Sequence, residues 1–378
     1  MSNTPNKINI GIDAKWFFSG PPSGNMVVKN LVSEMILHNN GRFNLHLFIP
    51  SKFKRQARAL FPADVKLIGL PRIPNLLVNQ FLVPFEAIRH KLKAVLFQNF
   101  AGTWPGKLHK IAYIHDVLFL DYPEYYTATE RVYFNQMKRL ALRSDTVIAI
   151  SVSEKERLIS NKISGSLNTH VVYHGIDQNF KPRGFYSDTE VRSVLNNYGL
   201  PARYLLFVGR VNIRKNLLNL VKAMLHIGDQ NIRLVIAGGR NNLTDELETL
   251  IAMHNISDRI VITGHVPEAD LRLIYACATI FCFPSYAEGF GLPPLEAMKC
   301  GVPVIVSDRT AMPEVCGEAA IYIDPDNPRD IALKIDTLLN NADLYNEKVA
   351  KGLAHAGKFV WSRSAQQILT IMEEACVN

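Results

Sequence analysis

Residues 279–308 read TIFCFPSYAEGFGLPPLEAMKCGVPVIVSD. An apolar run over 279–285 ends at Pro284-Ser285. A glycine-flanked loop follows, then a helix over 291–301 closed by Gly301, then a second apolar run over 302–308. Two near-continuous apolar strands joined by a helix form the repeat unit of a parallel sheet covered on both faces. Pro293 and Pro294 suit the first helical turn, where a missing N–H costs nothing. The N–H groups of Phe290, Gly291 and Leu292 then point outward at the helix start, a cradle for an anion or hydroxyl. Glu288 precedes the helix and Glu296 lies in its second turn. Carboxylates accept vicinal hydroxyls well, so both are candidate ligand contacts. Ordinary dipole complementarity explains an acid near a helix start equally well.

The same unit repeats outward in both directions. Before it come strands over 204–210, 232–239 and 259–266, with helices over 216–226, 245–255 and 268–276. After it comes a strand over 319–324. The first half has its own series: strands over 8–14, 44–50, 93–99, 110–116 and 145–151, helices over 26–37, 129–143 and 153–161, and a closing segment over 169–177. Two such runs in 378 residues predict an α/β protein with two doubly wound Rossmann-like domains. The periodicity breaks at QNFKPRGFYSD (178–188), so the expected domains are 1–182 and 183–360, followed by a terminal helical segment, 361–378.

Composition narrows the class. Hydrophobic residues make up 48% and charged residues 20%, enough apolar material for large cores. No apolar run reaches ~18 residues, so no membrane-spanning helix is expected. Residues 1–10 pass from a polar tail into a strand without an apolar leader, which predicts a cytoplasmic protein. The five cysteines, Cys277, Cys282, Cys300, Cys316 and Cys376, form no CxxC pair, so reduced thiols are expected and a zinc site is not. Charge is lopsided: residues 1–185 carry 24 Lys and Arg against 12 Asp and Glu, in a chain of net charge +8. That excess asks for an anionic partner, with Lys52, Lys54, Arg55 and Arg58 as its densest cluster; contact with an anionic membrane surface and a merely solvated helix face both fit.

Ligands of open α/β sheets bind beyond the carboxyl ends of strands. Three further loops qualify by position. Gly20–Asn25 (GPPSGN) offers glycines and a helix start, though a plain loop explains it as well. His115-Asp116 ends a strand, where an imidazole can meet a sugar hydroxyl or serve structure alone. Arg210-Val-Asn-Ile-Arg-Lys215 places cations across a turn, suited to a diphosphate or to a surface ion pair. Asp324-Pro-Asp326 spells DxD, but it ends a strand before Asn327-Pro328 and fits a turn or helix cap rather than a metal site.

Glu288-x7-Glu296 within EGFGLPPLEAMKCGVPVIVSD resembles the EX7E signature of retaining glycosyltransferases of family 4, which have the GT-B fold. GRVNIRKNL resembles that family's phosphate-binding loop. YHGID, AISVSE, LVIAGG, VITGHVPEADLRLIYACA and IDPDNPRDIA match its usual spacing over nearly the whole chain. The resemblance implies two domains facing a cleft, with the C-terminal helix crossing back to the first. It implies that Arg210 and Lys215 bind the donor diphosphate and that Glu296 binds ribose. Glu288 and the backbone of Gly289, Phe290, Gly291 and Leu292 would hold the hexose and distal phosphate. His115 would lie near the sugar, Gly24 and Asn25 near the diphosphate, and His265 and Val266 beside the nucleobase. It further implies retention without a metal and without any cofactor.

Segments such as IHDVLFLDYPEYY give the chain the look of bacterial polysaccharide or lipopolysaccharide mannosyltransferases. GDP-mannose is the expected donor, with UDP-hexose or dTDP-rhamnose as alternatives. The expected acceptor is a lipid-linked or lipopolysaccharide glycan, reached from the inner face of the cytoplasmic membrane. A sugar-nucleotide epimerase shares the architecture but would need acid/base groups around the anomeric carbon. A nucleic-acid binder would need an aromatic-studded basic reader that the chain lacks.

Overall fold

The run INIGID is buried on both faces over its last four residues, with Ile10 and Ile12 on one side and Gly11 and Asp13 on the other. It pairs in parallel on both edges and becomes a central strand. The computed structural model describes residues 7–238 and 245–377; the polar opening residues 1–6, Gly239 at the end of an expected strand, and Asn378 lie outside them. The chain divides into two compact units, Met1–Gly175 with Val360–Asn378, and Ile176–Phe359.

The first unit carries β1 (Ile8–Asp13), β2 (Phe43–Pro50), β3 (Lys66–Leu70), β4 (Ala94–Gln98), β5 (His109–Ile114), β6 (Thr146–Ala149) and β7 (Thr169–Val171). Their order is β3-β2-β1-β4-β5-β6-β7, all parallel. The sequence reading did not mark out β3, which is five residues long and lies at the sheet edge. The helix Trp361–Val377 packs in this unit against Pro22–Leu37 and buries Trp361, Ala365, Ile368, Leu369 and Met372. The second unit carries β8 (Tyr204–Val208), β9 (Arg233–Ala237), β10 (Ile260–Gly264), β11 (Ile280–Phe283), β12 (Val304–Ser307) and β13 (Ile321–Ile323), in the order β10-β9-β8-β11-β12-β13. The five cysteines are free, and Cys282, Cys300 and Cys316 are buried.

Strand order reverses at one place in each sheet, between β1 and β4 and between β8 and β11. Helices leave the sheet in opposite directions there, so a crevice opens at the strands' carboxyl ends. In the second unit the loops at that point follow β8 and β11, and they carry the GRVNIRKN and PSYAEGFGLPP segments. In the first unit they follow β1 and β4, with His115 close by after β5.

Candidate active site

In the second unit the chain leaving β8 forms a short 3-10 turn, Ile213–Lys215, capped by the Asn212 side chain, which accepts from the Lys215 N–H at 3.1 Å. The turn aims Arg214 and Lys215 together at Glu288, which precedes the helix Leu292–Lys299. Lys215 Nζ lies 2.6 Å from Glu288 Oε1, and Arg214 Nη1 lies 2.8 Å from Oε2. Glu288 is 6% exposed. Burial pushes its carboxyl up, but the two cations outweigh that and hold it at about 2. Lys215 Nζ also lies 4.5 Å over the Phe283 ring.

The two loops are tied together by backbone. The Tyr286 N–H donates to the Arg214 carbonyl at 2.8 Å, and the Glu288 N–H to Thr310 Oγ1 at 2.9 Å. Asn216, buried in a left-handed conformation that asparagine tolerates, donates to the carbonyls of Pro284 and Pro325 at 3.0 and 2.6 Å. Gly291 caps the helix at φ +103°, a backbone conformation that a side chain strains, so glycine is favoured there. Past the helix end, Gly301 at φ +75° and Val302 donate to Met298 and Ala297, closing it as the glycine stop predicted.

The structure thus brings Lys215 and Glu288 together and adds Arg214, which the sequence reading passed over. Its one signal in the sequence was adjacency to Lys215. Arg210 is exposed after β8 and makes no ion pair among the described residues. Glu296 is held separately: Tyr275 Oη donates to its Oε2 at 2.9 Å, and burial pushes its carboxyl up to about 7. His265 is exposed and Val266 buried just beyond β10. The Phe290 ring is buried and packs edge-on against Phe359. Asp324 and Asp326 accept from Arg309, and the following helix is capped by Asn327. Among the described residues, no three His, Cys, Asp or Glu side chains are grouped to hold a metal.

In the first unit the helix expected over 26–37 starts at Pro22, so Gly24 and Asn25 lie in its first turns rather than in a loop. Prolines at the cap and first helical position fit there because no N–H is needed. Gly24 makes room for Trp16, whose ring lies 2.8 Å from where a Cβ would stand. Asn25 gives its side-chain amide to the carbonyls of Trp16 and Phe17 and its backbone N–H to Pro21, so it has no donor left for an anion. The ring of Trp16 lies 5.4 Å from that of His115. His115 Nε2 is 2.9 Å from Gln98 Oε1, and the Gln98 amide nitrogen donates onward to the Asp13 carbonyl at 3.3 Å. That chain fixes Nε2 as the protonated nitrogen of His115. Burial pushes the imidazole down to about 4, so it is neutral near pH 7 and offers Nδ1 as an acceptor. The next turn is anchored by buried Glu154, which accepts from the Val117 N–H at 2.6 Å.

Two parallel Rossmann-like halves of this topology make up the GT-B fold. Over residues 196–353 the chain matches the family described as "Glycosyl transferases group 1". It is 32% identical over 274 residues to the O-antigen chain mannosyltransferase B of Escherichia coli, covering 70% of each protein. It is 29% identical over 260 residues to the serotype-specific mannosyltransferase WbdA of the same species, covering 66% of this chain but 32% of that longer one. The structure of HepE from Anabaena in complex with UDP and glucose superposes with a TM-score of 0.73 at 18% identity, over 97% of this chain and all of HepE. The chain belongs to the group 1 glycosyltransferases.

Proposed function

We propose that the chain transfers mannose from GDP-mannose to a lipid-linked or lipopolysaccharide glycan, with retention of configuration and without a metal. The observation that carries this reading is the Arg214–Glu288–Lys215 cluster at the switch point of the second sheet. Arg210, Arg214 and Lys215 outnumber the one carboxylate, and the surplus positive charge suits a diphosphate. Charge grows on that diphosphate as the glycosidic bond breaks, so the cations stabilise the transition state more than the ground state. Arg210 and Lys215 take the diphosphate. Glu288 and the Gly289–Leu292 backbone take the hexose, and His115 Nδ1 accepts from a sugar hydroxyl. On the first unit's side Gly24 offers a backbone N–H, while Asn25 ties the preceding Trp16–Phe17 segment to the helix start. The nucleobase lies against His265 and Val266. Mannose is favoured by the names of the relatives at 26–32% identity. A UDP-hexose is the second reading, favoured by the ligands of HepE. The inner face of the cytoplasmic membrane is the proposed place of action. No helix among the described residues is long and apolar enough to cross a membrane.

The donor is tested by thermal shift with GDP, UDP, dTDP and ADP at equal concentration. A ligand at a hundred times its Kd adds about 2.7 kcal/mol of stability. GDP is expected to give the largest shift; a larger shift with UDP transfers the proposal to a UDP-hexose.

Glu296 supplies a pH signature. Its carboxyl stands at about 7 in the free protein, so it is partly protonated at neutrality. Paired ribose hydroxyls donate more strongly to the carboxylate than to the protonated acid, which couples binding to release of a proton. Nucleotide affinity should therefore rise with pH, by up to about tenfold per unit below pH 7, and level off above it. Calorimetry in buffers of differing ionisation enthalpy reads the proton. Glu296→Gln should flatten the profile; an unaltered profile in that variant would remove the ribose contact.

A further inference from the structure

The helical stretch over residues 75–89 of the first unit is apolar on two faces. One face is core: Val78, Val83 and Ala87 are buried against Phe48, Ile68 and Phe97. The other lies in solvent, with Phe81 53%, Phe85 58% and Ile88 54% exposed, and Leu76, Leu77 and nearby Ile73 exposed as well. Soluble helices put polar residues on the face away from the core. Six large exposed apolar side chains within sixteen residues mark a docking surface rather than scattered exposure.

The rim chooses the partner. Residues 65–115 contain seven Lys and Arg and one acid, Glu86, which is paired with Arg89 and His90. Arg72, Arg89, Lys91 and Lys93 are exposed around the stripe. Trp104 is half-buried beside it, its indole N–H on the Gln80 carbonyl at 2.8 Å. Apolar anchors with basic flanks and an amphipathic tryptophan fit the headgroup region of an anionic bilayer. A second copy of the chain fits poorly, because a two-fold contact on this patch would set its cations against themselves.

We propose that residues 73–93 form a membrane-docking face that lays the first unit on an anionic lipid surface. The face is joined to the site-bearing end of its sheet. Asn79, buried within the stretch, receives the Lys15 ammonium, which also pairs with Asp13 at 2.9 Å at the carboxyl end of β1, and it donates to the Phe100 carbonyl at 2.8 Å. A docked face therefore holds the β1 and β4 loops near the lipid surface. The proposal rests on the reading of a lipid-linked acceptor, and its test is chosen to fail separately from that reading.

The full chain is mixed with phosphatidylcholine vesicles containing or lacking about a third phosphatidylglycerol, and the bound fraction is measured by flotation. Binding is expected on the anionic vesicles and should weaken with salt. The triple variant Phe81→Ser/Phe85→Ser/Ile88→Ser, which leaves the core face intact, should lose at least about tenfold in partitioning. Leu167→Ser, at a side chain 99% exposed elsewhere in the unit, should not. GDP-induced thermal shift and transfer to a water-soluble acceptor fragment should be equal in wild type and triple variant, which reports on the enzyme reading alone. Equal vesicle binding by wild type and triple variant overturns the proposal, as does an absence of wild-type binding. A concentration-dependent dimer that the triple variant abolishes would assign the face to a second copy instead.

Discussion

Glu288→Ala is expected to reduce transfer by at least about a thousandfold and to lower the melting temperature. The second effect follows from where the carboxylate sits. It is buried between Arg214 and Lys215, whose side chains are 17% and 12% exposed. Removing it strands two poorly solvated cations, a loss of about 3–5 kcal/mol. In a unit of this size that is a fall on the order of 10 °C. The sequence alone suggested a ligand contact; burial makes it a structural counter-ion as well. Nucleoside diphosphate binding separates the two roles. Once Glu288 is gone, Arg214 and Lys215 are released toward a diphosphate, so GDP should bind as tightly as before or more so while turnover is lost. Glu288→Gln keeps the shape and one acceptor without the charge, and should recover much of the stability but little of the rate. Near-normal turnover in a folded Glu288→Ala protein would remove Glu288 from the site.

Lys215→Ala has the second largest expected effect, with the opposite pattern. A charge-assisted contact to a phosphate contributes about 1.5–3 kcal/mol, so GDP affinity should fall roughly tenfold to a hundredfold. Turnover should fall by about a hundredfold or more, because the same ammonium faces the charge that grows on the leaving group. Glu288 keeps Arg214, so its carboxyl should remain ionised at neutral pH, though held less far below its ordinary range. Arg210→Ala tests the other proposed diphosphate contact: Arg210 is exposed and outside the cluster, so its loss should lower GDP affinity while leaving stability within about 0.5 kcal/mol. Calorimetric titration with GDP and a kcat measurement on the three proteins decide the matter. Unchanged affinity and rate in Lys215→Ala would reduce that lysine to a partner for Glu288.

The architecture was legible because strand and helix periods are local properties. The runs YLLFV and IFCF carry their burial in unbroken apolar residues and INIGID in alternating isoleucines, and Gly301 and Pro293 punctuate a helix wherever they stand. The loops that carry the candidate site were legible for the same reason, since strand ends are marked by a change of composition. β3 escaped because five residues at a sheet edge leave too short a pattern to separate from its surroundings.

Which side chains meet is a different kind of information. Lys215 and Glu288 are 73 positions apart and touch because β8 lies beside β11, an adjacency that no stretch of either strand encodes. Arg214 rather than Arg210 completes the pair because a 3-10 turn rotates it inward and Asn216 holds that turn against Pro284 and Pro325. Gly24 suggested a glycine loop; the fold places it in the first turn of a helix, with its Cα against the Trp16 ring. The helical stretch over residues 75–89 was not marked out from the sequence, and its exposed apolar face is defined only once its other side fills the core. Period and punctuation act over a few residues and survive in the linear chain; charge pairing, tautomer and exposure are set by neighbours that only the folded sheet order brings into range.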